Sequence, residues 1–180
     1  ELLSMGVEID PHGRQMLASY LQSFVPKRRR QCALQTGWAG ADFKAFVLPD
    51  DVIGPKAPAV TYQTGERGHD EYTTAGTLEG WRKGIAAMAV GNPLLTLAIS
   101  TGFAGPVLAR CNVESGGIHF IGDSSTGKTT AIEAACSVWG GPNFRRSWRA
   151  TGNGMEGVAA LFNDSLLALF FLRSSVSRSA

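Results

Sequence analysis

Cysteine is scarce in this chain, with only three in 180 residues. Cys32, Cys111 and Cys136 lie far apart, and neither a Cys-x-x-Cys pair nor a Cys/His cluster occurs. A zinc site therefore has no support in the sequence. An odd number of widely spaced cysteines also argues against a disulfide framework, so we expect the protein to work in a reducing, cytoplasmic compartment.

Long hydrophobic runs and a strong net charge are missing as well. The most apolar stretch, residues 94–109, has about 16 residues, is interrupted by Gly102, Gly105 and Pro106, and is shorter than the ~20 that a spanning helix needs. We expect a buried pair of helices there and no membrane partner. Lysine and arginine number 17 against 15 aspartates and glutamates, which excludes a highly basic protein that coats nucleic acid.

Apolar residues are nevertheless abundant enough for a folded core, because 44% of the chain is hydrophobic and only 18% is charged. The order of secondary-structure signals predicts the α/β class. We expect a β-rich N-terminal region at residues 1–76 and a helical connector at residues 77–110. The remaining region, residues 111–180, is expected to hold an incomplete nucleotide-binding core with an aberrant tail from about residue 170.

Short runs of β-branched and aromatic residues, separated by turn residues, predict hairpins or a meander in the first region. The expected strands span residues 32–38, 43–48 and 59–63, and an amphipathic pattern predicts a helix before them at residues 14–24.

Capping residues mark two helices in the connector. Thr77 precedes apolar residues that recur at steps of three and four, which is typical of an N-cap followed by a helix. Asn92 can cap the next helix, with Pro93 at its first position.

The last region changes character. Residues 118–121 form an apolar run typical of a strand, a glycine- and hydroxyl-rich loop follows at residues 122–130, and residues 131–139 are compatible with a helix. A further helix is expected at residues 155–162 and a buried strand at residues 166–169.

The loop carries the chemistry. Residues 122–129, Gly-Asp-Ser-Ser-Thr-Gly-Lys-Thr, match the phosphate-binding pattern G-x-x-x-x-G-K-[ST] between a strand and a helix. Gly122 and Gly127 permit backbone conformations in which successive N–H groups point at a phosphate. The helix that starts near Lys128 adds its positive N-terminal end, and the Lys128 ammonium reaches the β- and γ-phosphates. The alternative is a surface turn that happens to contain a lysine.

The motif defines the candidate site. Thr129 is the expected Mg²⁺ ligand, ATP with Mg²⁺ is the expected cofactor, and no catalytic residue is assigned. The candidate nucleotide-binding residues are Gly122, Asp123, Ser124, Ser125, Thr126, Gly127, Lys128, Thr129 and Thr130.

Two groups of basic residues allow a contact with nucleic acid. The run Lys-Arg-Arg-Arg at residues 27–30 can touch phosphates, although a solvated loop explains it better. Arg145, Arg146 and Arg149 surround Trp148 and can supply an arginine finger or a DNA contact. Surface charge around one buried tryptophan is the interpretation that we favour for them.

Further motifs lie at residues 36–38, 47–50, 76–81, 91–92, 114–120, 122–130, 137–140, 147–157 and 163–164. These motifs resemble a family of bacterial proteins catalogued as "domain of unknown function 927". The resemblance extends over residues 5–169 and implies an additional-strand P-loop ATPase with a RecA/AAA-like core. Such proteins are described as helicase-like or primase-associated, occur on phages and mobile elements, and are expected to act on DNA, with a homo-oligomer possible.

The chain departs from that family after residues 166–169. The resemblance implies an acidic pair there, which would hold the Mg²⁺ and orient water. Residues 170–180 contain no aspartate or glutamate and are rich in serine and arginine. We hypothesise a shifted reading frame near Leu169; a fragment boundary followed by an unrelated tail is the alternative. Asp164 precedes the strand and is not assigned as a metal ligand.

The loop predicts ATP binding, and the resemblance implies a fragment of a helicase-like ATPase that acts on DNA, with slow or absent hydrolysis. Two alternatives stay open: a P-loop phosphotransferase and a degenerate remnant without catalysis. A core that lacks strands also predicts weak folding or aggregation of this chain alone.

Overall fold

A computed structural model describes residues 13–25, 27–63, 71–149 and 151–171. The chain divides into two compact units, Glu1–Arg30 and Gln31–Ala180. Helices and strands occur together, as the predicted α/β class requires, so the mixed composition is confirmed. The division at residues 76 and 110 stays a prediction, and the tail beyond residue 171 lies outside the described residues.

The first unit contains one described helix, α1 (Arg14–Ser23), as the amphipathic pattern predicted. It ends where the Phe24 N–H donates to the Leu21 carbonyl over 3.3 Å. Tyr20 and Phe24 remain more than half exposed, so their apolar face is not buried within the described part of this unit.

Five short strands open the second unit. Their bounds are β1 (Gln31–Ala33), β2 (Gly37–Trp38), β3 (Phe46–Val47), β4 (Val52–Ile53) and β5 (Val60–Tyr62).

Strands β2, β3 and β4 form an antiparallel meander in that order, but β4 lies outside the three predicted strands. The predicted strand at residues 32–38 is divided into β1 and β2. Strand β1 instead pairs in parallel with β5, so the meander lies within the connection between these two strands. A small core of Ala45, Val47 and Val60 joins the two sheets.

Both predicted caps are present. The Thr77 hydroxyl accepts a hydrogen bond of 3.0 Å from the Gly80 N–H at the start of α2 (Leu78–Gly84). Asn92 Oδ1 accepts one of 3.2 Å from the Leu95 N–H at the start of α3 (Pro93–Arg110). A short 3₁₀ turn, Ala86–Ala89, lies between the two helices.

The prediction of a helix pair at residues 94–109 was wrong, because α3 is one continuous helix of 18 residues. Pro106 lies inside it and has no N–H for the Gly102 carbonyl. The Trp139 indole donates to that carbonyl instead, over 2.6 Å. Within the described residues no helix combines the length and apolarity needed to cross a membrane.

The two glycines of α3 serve close packing. A Cβ at Gly102 would lie 2.8 Å from the Ala135 carbonyl oxygen, and one at Gly105 would lie 2.5 Å from the Ser165 carbonyl oxygen. Both distances are below ordinary contact, so α3 approaches its neighbours only because these side chains are absent.

The last part of the chain packs around α3. It comprises α4 (Lys128–Cys136), a 3₁₀ turn (Pro142–Phe144), β6 (Arg146–Ser147), α5 (Gly152–Leu161) and β7 (Leu169–Phe170).

Two apolar clusters hold these elements. Ala98 of α3 packs against Ala131 and Ala135 of α4, and Cys136, Phe144, Phe162 and Ala168 form a second cluster with Tyr72 at its edge. Strands β6 and β7 pair in parallel. The prediction of a strand at residues 166–169 was wrong for residues 166–168, because the strand begins at Leu169.

The predicted strand at residues 118–121 is not formed in the described structure. Ile121 is 85% exposed, and only Phe120 of this run packs against the cluster of α3 and α4. A strand is stable only when its backbone groups pair with a neighbour, and none of the described strands pairs with this run.

Candidate functional site

The candidate phosphate-binding loop, residues 122–127, leads directly into α4. Gly127 takes the N-cap position with φ 83° and ψ 4°, a left-handed conformation that glycine adopts without a steric penalty. No side chain caps this helix, whereas Thr77, Asn92 and Thr151 cap α2, α3 and α5. The first N–H groups of α4 and the positive end of its dipole are therefore not screened by a side chain at the loop.

Lys128 folds back across the loop. Its ammonium donates to the Gly122 carbonyl over 2.8 Å, to the Asp123 carbonyl, and to the Thr126 hydroxyl over 3.1 Å. Three acceptors use all three N–H donors of a lysine. The ammonium is thus held at the mouth of the loop by the loop's own oxygens.

The Thr126 side chain stabilises the same turn. Its hydroxyl donates to the Asp123 carbonyl over 2.9 Å, in addition to accepting from Lys128. A Cβ added at Gly122 would lie 3.2 Å from that hydroxyl, which is tighter than ordinary contact. The first glycine of the motif therefore makes room for the Thr126 side chain.

The nine candidate residues are continuous in the chain, so their proximity follows from the motif. Thr129 and Thr130 are exposed at the start of α4, and Lys128 is half-buried. Within the described ranges no group of three or more histidines, cysteines or acidic residues could hold a metal ion. Because Mg²⁺ in phosphate sites uses few protein ligands besides phosphate and water, a lone Thr129 hydroxyl fits that chemistry.

Ion pairs occupy two of the three arginines that follow α4. Arg145 pairs with Glu133 over 2.7 Å, and its guanidinium lies 5.0 Å from the ring centre of Phe170. Arg146 pairs with Glu71, and burial lowers the pKa of its guanidinium. Neither guanidinium is directed at the candidate loop by a contact in the described structure.

The expectation of a buried Trp148 was wrong. This side chain is 51% exposed because it stands just beyond the end of β6, where its ring stacks on Phe171 at a centroid distance of 5.3 Å. Arg149 beside it is exposed, as are all four residues of the basic run 27–30 in the other unit.

A clamp between distant segments was not foreseen. Asp164 accepts a hydrogen bond of 3.0 Å from the Trp38 N–H, and Asn163 donates one of 3.0 Å to the Thr36 carbonyl. The Thr36 hydroxyl in turn donates to the Leu161 carbonyl over 2.8 Å. Asp164 thus holds β2 against the turn after α5, and no local pattern could have revealed a contact across 126 residues.

Two titratable groups in the core have raised pKa values. The Tyr72 hydroxyl lies 2.7 Å from Ser165 Oγ and 3.1 Å from the Leu161 carbonyl oxygen, and burial raises its pKa to about 12. Burial also raises the pKa of the Cys136 thiol to about 11. Neither group changes its protonation state near neutral pH, so both are structural in character.

Comparison with known proteins gives one match. The model of the family described as Domain of unknown function (DUF927) matches residues 1–174, and this span covers every described residue. No curated protein and no solved structure matches the chain. The chain belongs to the DUF927 family.

Proposed function

We propose that this member of the DUF927 family binds ATP with Mg²⁺ at residues 122–130, as part of a helicase-like ATPase with a RecA/AAA-like core that acts on DNA. The observation that carries the proposal is the position of the Lys128 ammonium, held at the mouth of a glycine loop that ends on the uncapped start of α4. A cation and free helix N–H groups at one place favour a phosphate.

Each residue has a distinct part in this proposal. The backbone N–H groups from Asp123 to Thr130 would cradle the phosphates, and Lys128 would exchange a loop oxygen for an oxygen of the β- or γ-phosphate. Thr129 would offer its hydroxyl to Mg²⁺. When Mg²⁺ is bound, its charge neutralises part of the negative charge of the phosphates.

Nucleotide binding without efficient turnover is the second candidate. It is favoured by the absence of aspartate and glutamate from residues 170–180, a segment that starts at the last residue of β7. Without a carboxylate after β7 to orient water, the chain would retain the binding contribution of Lys128 and lose most of the rate acceleration.

The DNA part of the proposal rests on Trp148 and Phe171. Both rings follow the last residues of the parallel strands β6 and β7, at the carboxyl edge where open parallel sheets usually bind ligands. Exposed stacked aromatics beside Arg149 suit single-stranded DNA, because bases stack on aromatic rings and phosphates attract a guanidinium.

Calorimetry with Mg²⁺-ATP tests the nucleotide site. We expect Lys128→Ala to weaken binding by about 10- to 100-fold, since it removes charge-assisted bonds to phosphate. Lys83→Ala is the matched control, because Lys83 is exposed and pairs with Glu79 one turn earlier on α2. Equal affinities for the wild type and Lys128→Ala, or no binding by the wild type, would contradict the proposal.

Binding of a fluorescent single-stranded oligonucleotide tests the DNA part. Trp148→Ala should weaken it by about 5- to 100-fold, the range for one lost stacking interaction. Phe103→Ala is the control, since Phe103 on α3 is equally exposed at 51%. An equal loss in both variants would contradict a stacking site at Trp148.

The rate of ATP hydrolysis distinguishes the helicase-like ATPase from the phosphotransferase. A helicase-like ATPase should hydrolyse ATP faster with single-stranded DNA, whereas a phosphotransferase should respond to a small-molecule acceptor and not to DNA. Hydrolysis below detection together with intact binding of Mg²⁺-ATP would favour the non-hydrolysing candidate.

A further inference from the structure

The Lys128 ammonium has no donor left for a phosphate. Its three N–H groups are used by the carbonyls of Gly122 and Asp123 and by the Thr126 hydroxyl. A phosphate oxygen that approaches the ammonium must therefore displace one of these three acceptors.

The three acceptors differ in how easily they can leave. The two carbonyls belong to the backbone at the start of the loop and move only with it. The Thr126 hydroxyl is carried by a side chain that can rotate, and its bond of 3.1 Å is longer than the bond to Gly122. Thr126 is exposed, so its hydroxyl can turn to water after displacement.

We propose that the Thr126 hydroxyl is the placeholder for the phosphate oxygen that Lys128 binds. In the nucleotide-free loop it holds the third donor of the ammonium, and nucleotide binding replaces it while the two carbonyls keep the lysine in place. Thr126 is then a positioning residue that competes with the ligand. This inference rests on the proposed nucleotide site.

Removal of the hydroxyl has two opposite effects. Thr126→Val abolishes the competing bond to Lys128, which favours nucleotide binding, and it abolishes the brace to the Asp123 carbonyl, which disfavours it. A charge-assisted bond is roughly twice as strong as a neutral one, so the first effect should exceed the second. We expect Thr126→Val to bind Mg²⁺-ATP about threefold to tenfold more tightly than the wild type.

Tighter binding distinguishes this role from a structural one, because damage to the loop can only weaken affinity. Thr126→Ser keeps the hydroxyl and should bind like the wild type. Thr101→Val removes a hydroxyl outside the loop, one that donates to the Leu97 carbonyl within α3, and it should also bind like the wild type. In a Lys128→Met background, Thr126→Val should no longer increase the affinity.

Calorimetry with Mg²⁺-ATP measures these affinities, and thermal unfolding checks that each variant folds; Thr126→Ala replaces the valine variant if that one does not. Weaker or unchanged binding by the folded variant, while Lys128→Ala still loses affinity, would overturn the placeholder and leave the nucleotide site standing. Absence of binding by the wild type would overturn both.

NMR of the ¹⁵N-labelled lysine ammonium provides a test without nucleotide. Lysine ammonium protons that are held by three acceptors should exchange slowly with water in the wild type and in Thr126→Ser, and faster in Thr126→Val. An unchanged exchange rate in Thr126→Val would show that the hydroxyl does not hold the ammonium and would contradict the placeholder.

Discussion

Gly37 shows how much a single residue can decide in this chain. Its φ is 94°, and a Cβ there would lie 2.6 Å from Asp164 Oδ2 and 2.8 Å from the Asn163 carbonyl oxygen. The clamp between β2 and the turn after α5 therefore depends on the missing side chain. Gly76 has a similar φ of 72° with nothing within 4 Å of its absent Cβ, which makes it a control for conformation alone.

We expect Gly37→Ala to lower the free energy of unfolding by about 3–5 kcal/mol, since it adds steric overlap to an unfavourable backbone conformation. Gly76→Ala should cost only about 1 kcal/mol, from the conformation alone. Denaturant unfolding of both variants measures the difference. Equal losses would mean that the clamp relaxes without cost.

Tyr72 makes a second prediction for a single residue. Its pKa of about 12 in the folded chain exceeds the ordinary value of 10.0 because burial disfavours the phenolate. Above pH 10 the unfolded chain releases this proton while the folded chain keeps it, so stability is lost as the pH rises from 10 to 12. The loss should reach about 2–3 kcal/mol.

The comparison with Tyr72→Phe isolates this contribution. At pH 8 the variant should be less stable by about 1 kcal/mol, because it lacks the hydrogen bonds to Leu161 and Ser165. Its unfolding free energy should then fall less steeply with pH than that of the wild type, measured by urea unfolding from pH 8 to 12. If the unfolding free energies of the wild type and Tyr72→Phe fell equally with pH, the raised pKa of Tyr72 would be ruled out.

At the scale of elements, α3 depends on a bond from outside the helix. Pro106 leaves the Gly102 carbonyl without its helical partner, and the Trp139 indole after α4 takes that place. The same tryptophan stacks on Phe46 and meets Tyr72 edge to face, so one side chain links α3 to the sheet and to the core.

The Trp139→Phe variant should lose about 1–3 kcal/mol of stability by leaving the Gly102 carbonyl unpaired, beyond the loss of ring contacts. Pro106→Ala supplies an N–H within the helix. In the Pro106→Ala background, Trp139→Phe should lower the free energy of unfolding by about 1 kcal/mol less, or by an even smaller amount, than it does in the wild type. Chemical unfolding of the two single variants and the double variant measures the coupling. Strictly additive effects would contradict this account of the helix.

For the molecule as a whole, burial separates the three thiols. Cys32 and Cys111 are exposed, whereas Cys136 is 2% exposed within the cluster of Phe144 and Phe162. Its reaction with a thiol reagent therefore needs an opening of the second unit, and that reaction reports how firmly the core is closed.

A thiol reagent at pH 8 should label two cysteines rapidly and the third only with unfolding. Burial and a pKa of about 11 leave about one part in a thousand of the Cys136 thiol ionised at that pH. Cys136→Ala should keep both fast reactions and lose the slow one. Three fast reactions in the wild type would indicate that the cluster around Phe144 is open, in line with the expected weak folding of this chain.

The sequence by itself determined the local features of this protein. Thr77 and Asn92 cap their helices within three residues, and the loop at residues 122–129 runs into a helix as its motif predicts. These features could be predicted because each partner lies within a few positions along the chain. The use of the loop for ATP stays a prediction.

Only the tertiary structure decided the features whose partners lie far away. Pro106 did not break α3 because Trp139 supplied the missing donor, and residues 118–121 did not form a strand because no described strand pairs with them. Asp164 became a partner of the Trp38 backbone across 126 residues. Local patterns carry no information on such contacts, since a hydrogen bond depends on distance in space and not on separation in sequence.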